Sequence, residues 1–153
     1  MRIHIGTDHA AFETKNAIVA ALQQAGYEVV DHGAHRLDPE DDYPQFIIPA
    51  AQAVAQEPGS FGLVLGGSGN GEVIAANKVP GVRAALVHSL ETARLARQHN
   101  DAQVASIGAR MHSREECVAL ALAFLETEFS GQARHQRRID QINRYESAGR
   151  LDD

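Results

Sequence analysis

The sequence predicts an α/β protein: one open, parallel, five-stranded sheet with helices on both faces. Three observations lead there. Short apolar runs alternate with stretches whose apolar residues recur at helical spacing, the order that strand–helix–strand units produce. Glycine, proline or a capping residue punctuates most of the ends. At the centre, Phe61-Gly-Leu-Val-Leu65 reads as a buried parallel strand that runs into Gly66-Gly-Ser-Gly-Asn-Gly71 and then into a helix. The 153 residues make a single domain (1–153) without repeat, linker or low-complexity tract, long enough to bury a substantial core.

The first strand is Arg2 to Ile5, ending in Gly6-Thr-Asp-His9. From Ala10 to Ala25, Phe12, Ala17, Ile18, Ala21, Leu22 and Ala25 recur at helical spacing, and Gly26 suits the C-terminal stop. Tyr27 to Val30 is the second strand. A polar loop follows, His32 to Asp42, closing on the acidic run Glu40-Asp41-Asp42. Pro44 opens a helix to Ala55 at a position where its missing N–H does no harm. After the central strand and its glycine loop, Val73, Ile74, Ala76 and Val79 mark another helix. Pro80-Gly81 turns into a fourth strand, Val82 to Val87, and Ser89 caps a helix to about His99, with Glu91 or Thr92 in its first turn. Val104 to Ile107 is the fifth strand, followed by Gly108-Ala-Arg110. Ser113 with Glu116 three residues on is a capping box for a helix through Leu125. A last helix spans Gln132 to about Ser147, and the polar tail, 148–153, is expected to fray.

Bulk properties remove several function classes. A net charge of −6, one local basic cluster and no interleaving of aromatics with arginine argue against nucleic acid as a partner. No apolar run approaches the ~18 residues of a membrane span. Met1-Arg-Ile-His-Ile5 enters a strand directly, so no signal peptide is expected, and the single Cys117 makes no internal disulfide. Both fit a reducing, cytoplasmic setting.

Ligands of open parallel sheets bind at the carboxyl ends of the strands. The chemically useful residues gather there: Asp8-His9, the glycine loop, His88, and Gly108 to Arg110. The loop and the helix N-terminus behind it form an anion cradle. It is not a dinucleotide fingerprint, because Glu72 stands at the third glycine position and no acidic residue closes a strand about 20 residues on. Nor is it a Walker loop, since no Gly-Lys-Ser/Thr follows.

Glu72 either complements the helix dipole or acts as a general base, its pKa lifted by an apolar pocket. Asp8-His9 fits a helix cap with a surface histidine, or part of a site; His99-Asn100 fits a helix C-terminus, or part of a site. His4, His32, His35 and His112 have no spacing that suggests a metal and read as surface or packing residues. Arg134 and Arg138 share a helical face near an N-terminus, where positive charge costs roughly 0.3–1 kcal/mol. A bound phosphate offsets that through charge-assisted contacts; pairing with Asp140 or Glu146 is the plainer alternative.

Gly6-Thr-Asp-His9, Asp42-Tyr-Pro44, Gly66 to Lys78, Arg97-Gln-His-Asn100, Gly108-Ala-Arg110 and Arg134-His-Gln-Arg-Arg138 together resemble the ribose-5-phosphate isomerase B group of sugar-phosphate isomerases. That family also includes galactose-6-phosphate isomerase, and the resemblance spans nearly the whole chain. It implies a Rossmann-like three-layer α/β/α fold, no metal and no cofactor. It also implies a homodimer or a tetramer of dimers, with the C-terminal helix involved in dimerisation. The implied reaction interconverts ribose 5-phosphate and ribulose 5-phosphate, a step of the pentose phosphate pathway, through a cis-enediolate. Many members carry a catalytic cysteine where this chain has Gly66. The chain resembles a second branch, found in actinobacteria among others, with Gly-Gly-Ser-Gly-Asn-Gly-Glu and the glutamate as base.

On that resemblance Asp8 and His99 open the furanose ring, with His99 as proton donor, and Glu72 moves the proton between C2 and C1. Backbone amides of Gly67, Ser68, Gly69, Asn70 and Gly71 meet the developing oxyanion. Ser68 assists proton movement between O1 and O2, and Asn100 holds a sugar hydroxyl. His9 and Arg110 bind the phosphate together with Arg134 and Arg138, the last two supplied by a partner subunit. Read from sequence alone, allose 6-phosphate, a four-carbon sugar phosphate, and a non-catalytic binding module stay open as alternatives.

Overall fold

The architecture comes from a computed structural model in which residues 1–152 are described. Strands β1 (Arg2–Thr7), β2 (Glu28–Asp31), β3 (Phe61–Gly66), β4 (Ala84–Leu86) and β5 (Val104–Gly108) form one sheet in the order β2-β1-β3-β5-β4. Every neighbouring pair is parallel. The helices are α1 (Phe12–Gln24), α2 (Pro44–Gln56), α3 (Asn70–Asn77), α4 (Leu90–Asn100), α5 (Arg114–Glu126) and α6 (Ala133–Ala148). With β3 in the middle, the loop after it is flanked by the loops after β1 and β5.

Strand alternation builds two apolar layers. Ile3, Ile5, Leu63, Leu65, Ala105 and Ile107 pack with Ile18 and Leu22 of α1, Ala93 and Ala96 of α4, and Leu120 and Phe124 of α5. Val64 and Val104 turn the other way, onto Ile47 and Ala51 of α2 and Ala76 of α3. Burial on both faces is why these strands read as continuous apolar runs. The result is the expected three-layer, Rossmann-like sheet.

Two expected elements differ. The fourth strand, expected over Val82–Val87, is confined to Ala84–Leu86 because it is an edge strand with β5 as its only neighbour. Val82 instead closes the turn after α3, its N–H bonding to Val79 O at 3.1 Å. The first helix is split: Asp8 Oδ1 accepts from Ala10 N at 3.0 Å and caps a 3-10 turn, His9–Ala11, before α1 begins at Phe12. At the far end α6 runs to Ala148, Gly149 follows with φ 71°, and Arg144 donates to Leu151 O; of the tail expected to fray, Asp153 lies outside the described residues.

Two buried networks fix edges of the sheet. His4, only 5% exposed, has Nδ1 2.9 Å from His32 Nε2 and Nε2 2.9 Å from Glu57 Oε2. These residues tie β1 to the loop after β2 and the end of α2. Arg97, also buried, donates to Asp101 Oδ1 at 2.8 Å and Ala102 O at 2.7 Å, with its guanidinium 4.5 Å from the Phe61 ring centre. Arg83 donates to the carbonyls of Asn100 and Asp101. Together they lock the turn after α4, where Asp101 adopts φ 43°. Among the described residues, no helix is long and apolar enough to cross a membrane.

Candidate active site

The carboxyl ends of β1, β3 and β5 are joined into one floor. Thr7 Oγ1 donates to Leu65 O at 2.8 Å, Ala109 N to Gly66 O at 2.8 Å, and Arg110 N to Gly67 O at 3.0 Å. Ser106 Oγ donates to Gly69 O at 2.8 Å. Gly69 has φ 84°, a left-handed conformation that glycine adopts without steric penalty, and a Cβ there would lie 2.8 Å from Leu86 Cδ1. Above this floor is a cavity of about 590 Å³ whose wall includes Asp8, His9, Tyr43, Ser68, Glu72 and Arg110, with Gly67 and Gly71 beneath.

Glu72 sits in the first turn of α3 and is 4% exposed. Burial pushes its carboxyl above the ordinary carboxylate range, and the charge of Asp8 adds to this, while the amides of Glu72 and Gly69 pull the other way. Its carboxylate rests directly over Gly66, so that a Cβ at that position would overlap Glu72 Oε1. A cysteine side chain at 66 and this carboxylate cannot occupy the same space. The absence of that cysteine therefore has a steric reason: the Glu72 carboxylate stands where the cysteine side chain would lie.

The cradle is narrower than the sequence implies. Asn70 N–H bonds to Ser68 Oγ at 3.2 Å, which removes one of the amides expected to face a ligand. Gly69 is buried and Asn70 opens onto a neighbouring recess with Leu86 and His88; neither lines the main cavity. Tyr43 closes the wall opposite: a Cβ on Gly71 would fall 2.5 Å from its Cζ and 2.6 Å from its hydroxyl oxygen.

Asp8 is 7% exposed. The His9 ring donates through Nδ1 to Asp41 Oδ1 at 2.7 Å, and that hydrogen bond is the main reason the imidazole stays charged above its ordinary pH. Asp8, His9 and Asp41 are the one group of potential metal ligands among the described residues, with donor atoms within 4.8 Å of one another. The His9–Asp41 hydrogen bond already engages two of those atoms and accounts for their closeness.

Not every expected site residue reaches the cavity. Helix α4 leaves the carboxyl end of β4 and delivers the chain to the amino end of β5, so His99 and Asn100 lie at the opposite edge of the sheet from Glu72. There the His99 ring is 4.3 Å from that of His135 on α6. His135 is buried, bonded to Ser130 Oγ at 2.7 Å, and held below the ordinary imidazole range by burial, with His99, Arg134 and Arg138 adding to it. Arg134 and Arg138 are exposed and form no ion pair among the described residues. Their candidate acidic partners are engaged elsewhere: Asp140 accepts from Gln136 and Glu146 from Gly81 N. Tyr43 and Met111 line the cavity and Asp41 bonds to His9, yet the sequence alone does not single them out as site residues; the local signs are the acidic run Glu40-Asp41-Asp42, Asp42-Tyr-Pro44 and Gly108-Ala-Arg110 beside Met111.

Fold and cavity define an α/β protein with a small-ligand site at the carboxyl ends of a parallel sheet, lined by the titratable groups of Asp8, His9, Glu72 and Arg110. Residues 3–142 match the family described as Ribose/Galactose Isomerase, and the chain belongs to that family. It is 55% identical over 146 residues to ribose-5-phosphate isomerase B of Mycolicibacterium paratuberculosis, covering 95% of this chain and 92% of the relative. Among solved structures, ribose-5-phosphate isomerase B of Mycoplasma genitalium with bound ribulose-5-phosphate superposes with a TM-score of 0.93 at 41% identity, covering 96% of this chain and 97% of that one. The type B ribose 5-phosphate isomerase of Trypanosoma cruzi gives 0.92 at 41% identity, with 97% and 99% covered.

Proposed function

We propose that Glu72 is the general base in an enzyme that interconverts D-ribose 5-phosphate and D-ribulose 5-phosphate. The carrying observation is that carboxylate, buried over Gly66 with a raised pKa at the mouth of a glycine cradle. It takes the C2 proton of the open aldose and returns it to C1, passing through a cis-enediolate. Amides of Gly67, Ser68 and Gly71 stabilise the oxyanion, and the Ser68 hydroxyl carries a proton between O1 and O2. Hydrogen moves within one molecule, so a base, a cradle and a phosphate anchor suffice. His9 and Arg110 hold the phosphate from this chain.

The remaining groups come from a second copy. His99 donates to the ring oxygen with Asp8 assisting, Asn100 holds a hydroxyl, and Arg134 and Arg138 complete the phosphate site. Support for this lies in the topology, which sets these four residues at the far edge of the sheet from Glu72, and in two exposed arginines that form no ion pair among the described residues. The working unit is thus a homodimer, in the cytoplasm, with α6 at the subunit boundary.

Glu72→Gln tests the assignment. Turnover of ribose 5-phosphate should fall by about 10²–10⁴ in kcat, as loss of a general base does, with KM within a few-fold. Exchange of the C2 proton with solvent should be lost in parallel. Isomerisation within about tenfold of the parent would overturn the base assignment. Parallel assays with six- and four-carbon phosphosugars distinguish ribose 5-phosphate from the alternatives.

A further inference from the structure

We infer that Asp41 is a positioning residue for the phosphate end of the site: its carboxylate holds the His9 ring so that Nε2 is the nitrogen left for the ligand. Asp41 lies in the loop between β2 and α2, yet one of its oxygens, Oδ1, accepts from both the backbone N of His9 at 3.0 Å and its ring Nδ1 at 2.7 Å. A single acceptor that holds the main chain and the ring together leaves the side chain no free torsion. No hydrogen bond among the described residues engages Nε2. The His9 side chain is 29% exposed and lines the cavity beside Arg110.

The Asp41 side chain itself is only 6% exposed, and its Oδ2 is buried without a hydrogen-bond partner among the described residues. A carboxylate with one oxygen unsatisfied is a poor choice for folding alone, because desolvation goes uncompensated. Orientation of His9 gives that burial a purpose. The charged groups facing the ring are Asp41, Asp8 and Arg110; Asp41 and Asp8 favour the imidazolium, while Arg110 and burial oppose it.

The sign of the pH effect follows. While His9 is charged, Nε2–H donates to a phosphate oxygen. Once it is neutral, with Nδ1–H still directed at Asp41, Nε2 turns a lone pair toward the anion. Affinity for the phosphorylated substrate therefore falls as pH rises through the raised His9 value, and removing the Asp41 charge moves that fall to lower pH.

This inference rests on the reading of His9 as a phosphate ligand, and Asp41→Asn with His9→Ala tests both. Asp41→Asn keeps the shape and removes the charge. In the full-length enzyme it should raise KM for ribose 5-phosphate about tenfold with kcat within about threefold, and move the alkaline limb of kcat/KM to lower pH. The His9 ring resonance, assigned with the His9→Ala protein, should titrate at lower pH in Asp41→Asn. The double variant should match His9→Ala alone, since Asp41 acts through that ring. An unmoved His9 titration, or Asp41 and His9 effects on KM that add, overturns the inference while leaving His9 a phosphate ligand. A His9→Ala enzyme with unchanged KM overturns the phosphate reading instead, and the role of Asp41 with it.

Discussion

The candidate site residues fall into two clusters at opposite edges of one sheet, and the two are built by opposite means. At the carboxyl edge, Asp8 and Glu72 are buried, Glu72 rests on Gly66, and the loops beneath are bonded strand to strand. At the amino edge, His99, Asn100, Arg134 and Arg138 are all exposed, although the backbone under them is locked by Arg97, Arg83 and His135. The first cluster carries the fixed geometry that proton transfer requires, since preorganised groups need no rearrangement at the moment of reaction. The second keeps its side chains in solvent on a rigid corner. The difference teaches that the buried carboxylates and the exposed cations of this chain stand at opposite ends of the sheet, so a site that uses both, as proposed above, must draw them from two copies.

The largest expected effect breaks the first cluster without touching its base. Gly66→Ala puts a methyl group where the Glu72 carboxylate lies, so the carboxylate must move. Steady-state assays should show kcat lower by about 10²-fold or more, a misplaced base losing much of its contribution. Adding Glu72→Gln to Gly66→Ala should bring little further loss. A Gly66→Ala enzyme within threefold of the parent would mean the carboxylate is not held as tightly as its burial indicates.

Much of this comparison is legible from local sequence. The alternation of apolar runs and helical spacing specifies a parallel sheet, and Gly66 to Glu72 announces the cradle because both its signals, glycine density and a first-turn acid, are contiguous. Edge strand β4 came out shorter, since an apolar run does not reveal how many neighbours it will have. The pair His9–Asp41 and the relay His32–His4–Glu57 join residues that are remote in sequence, and no periodicity marks them. The separation of His99 from Glu72 could have been read: in a parallel sheet, a helix that begins at a carboxyl end must finish at an amino end. A motif inventory places both residues in one site and hides that constraint.

A subunit-mixing experiment sharpens the comparison next. Glu72→Gln disables the carboxyl-edge cluster and Arg134→Ala/Arg138→Ala the amino-edge one, each leaving little activity. If each site draws on both edges from different copies, a mixed dimer contains one intact site and one doubly defective site. Random one-to-one re-association should then recover about a quarter of wild-type activity, the share of intact sites in a two-fold symmetric dimer. Verified mixed dimers without recovery would mean that Glu72 of one copy and Arg134 and Arg138 of the other do not serve the same site.

The smallest effect concerns stability and separates the two clusters by what they cost the fold. Glu72 is buried with its pKa raised, so the folded state binds a proton at this carboxyl more tightly than the unfolded chain does. Its ionisation therefore opposes folding, fully at pH above the raised value and not at all below the ordinary carboxylate value. Glu72→Gln should raise Tm at pH 7–8, where the buried carboxylate is charged. The gain should shrink as pH is lowered through the carboxylate range. Arg134→Ala/Arg138→Ala, by contrast, removes exposed charges that form no ion pair among the described residues, from the N-terminal half of α6, and should shift Tm little at any pH. Calorimetric scans across pH that showed Glu72→Gln equal to or less stable than the parent at pH 8 would mean that the carboxylate is better solvated or bonded than its burial implies, and that the cradle is held at no expense to the fold.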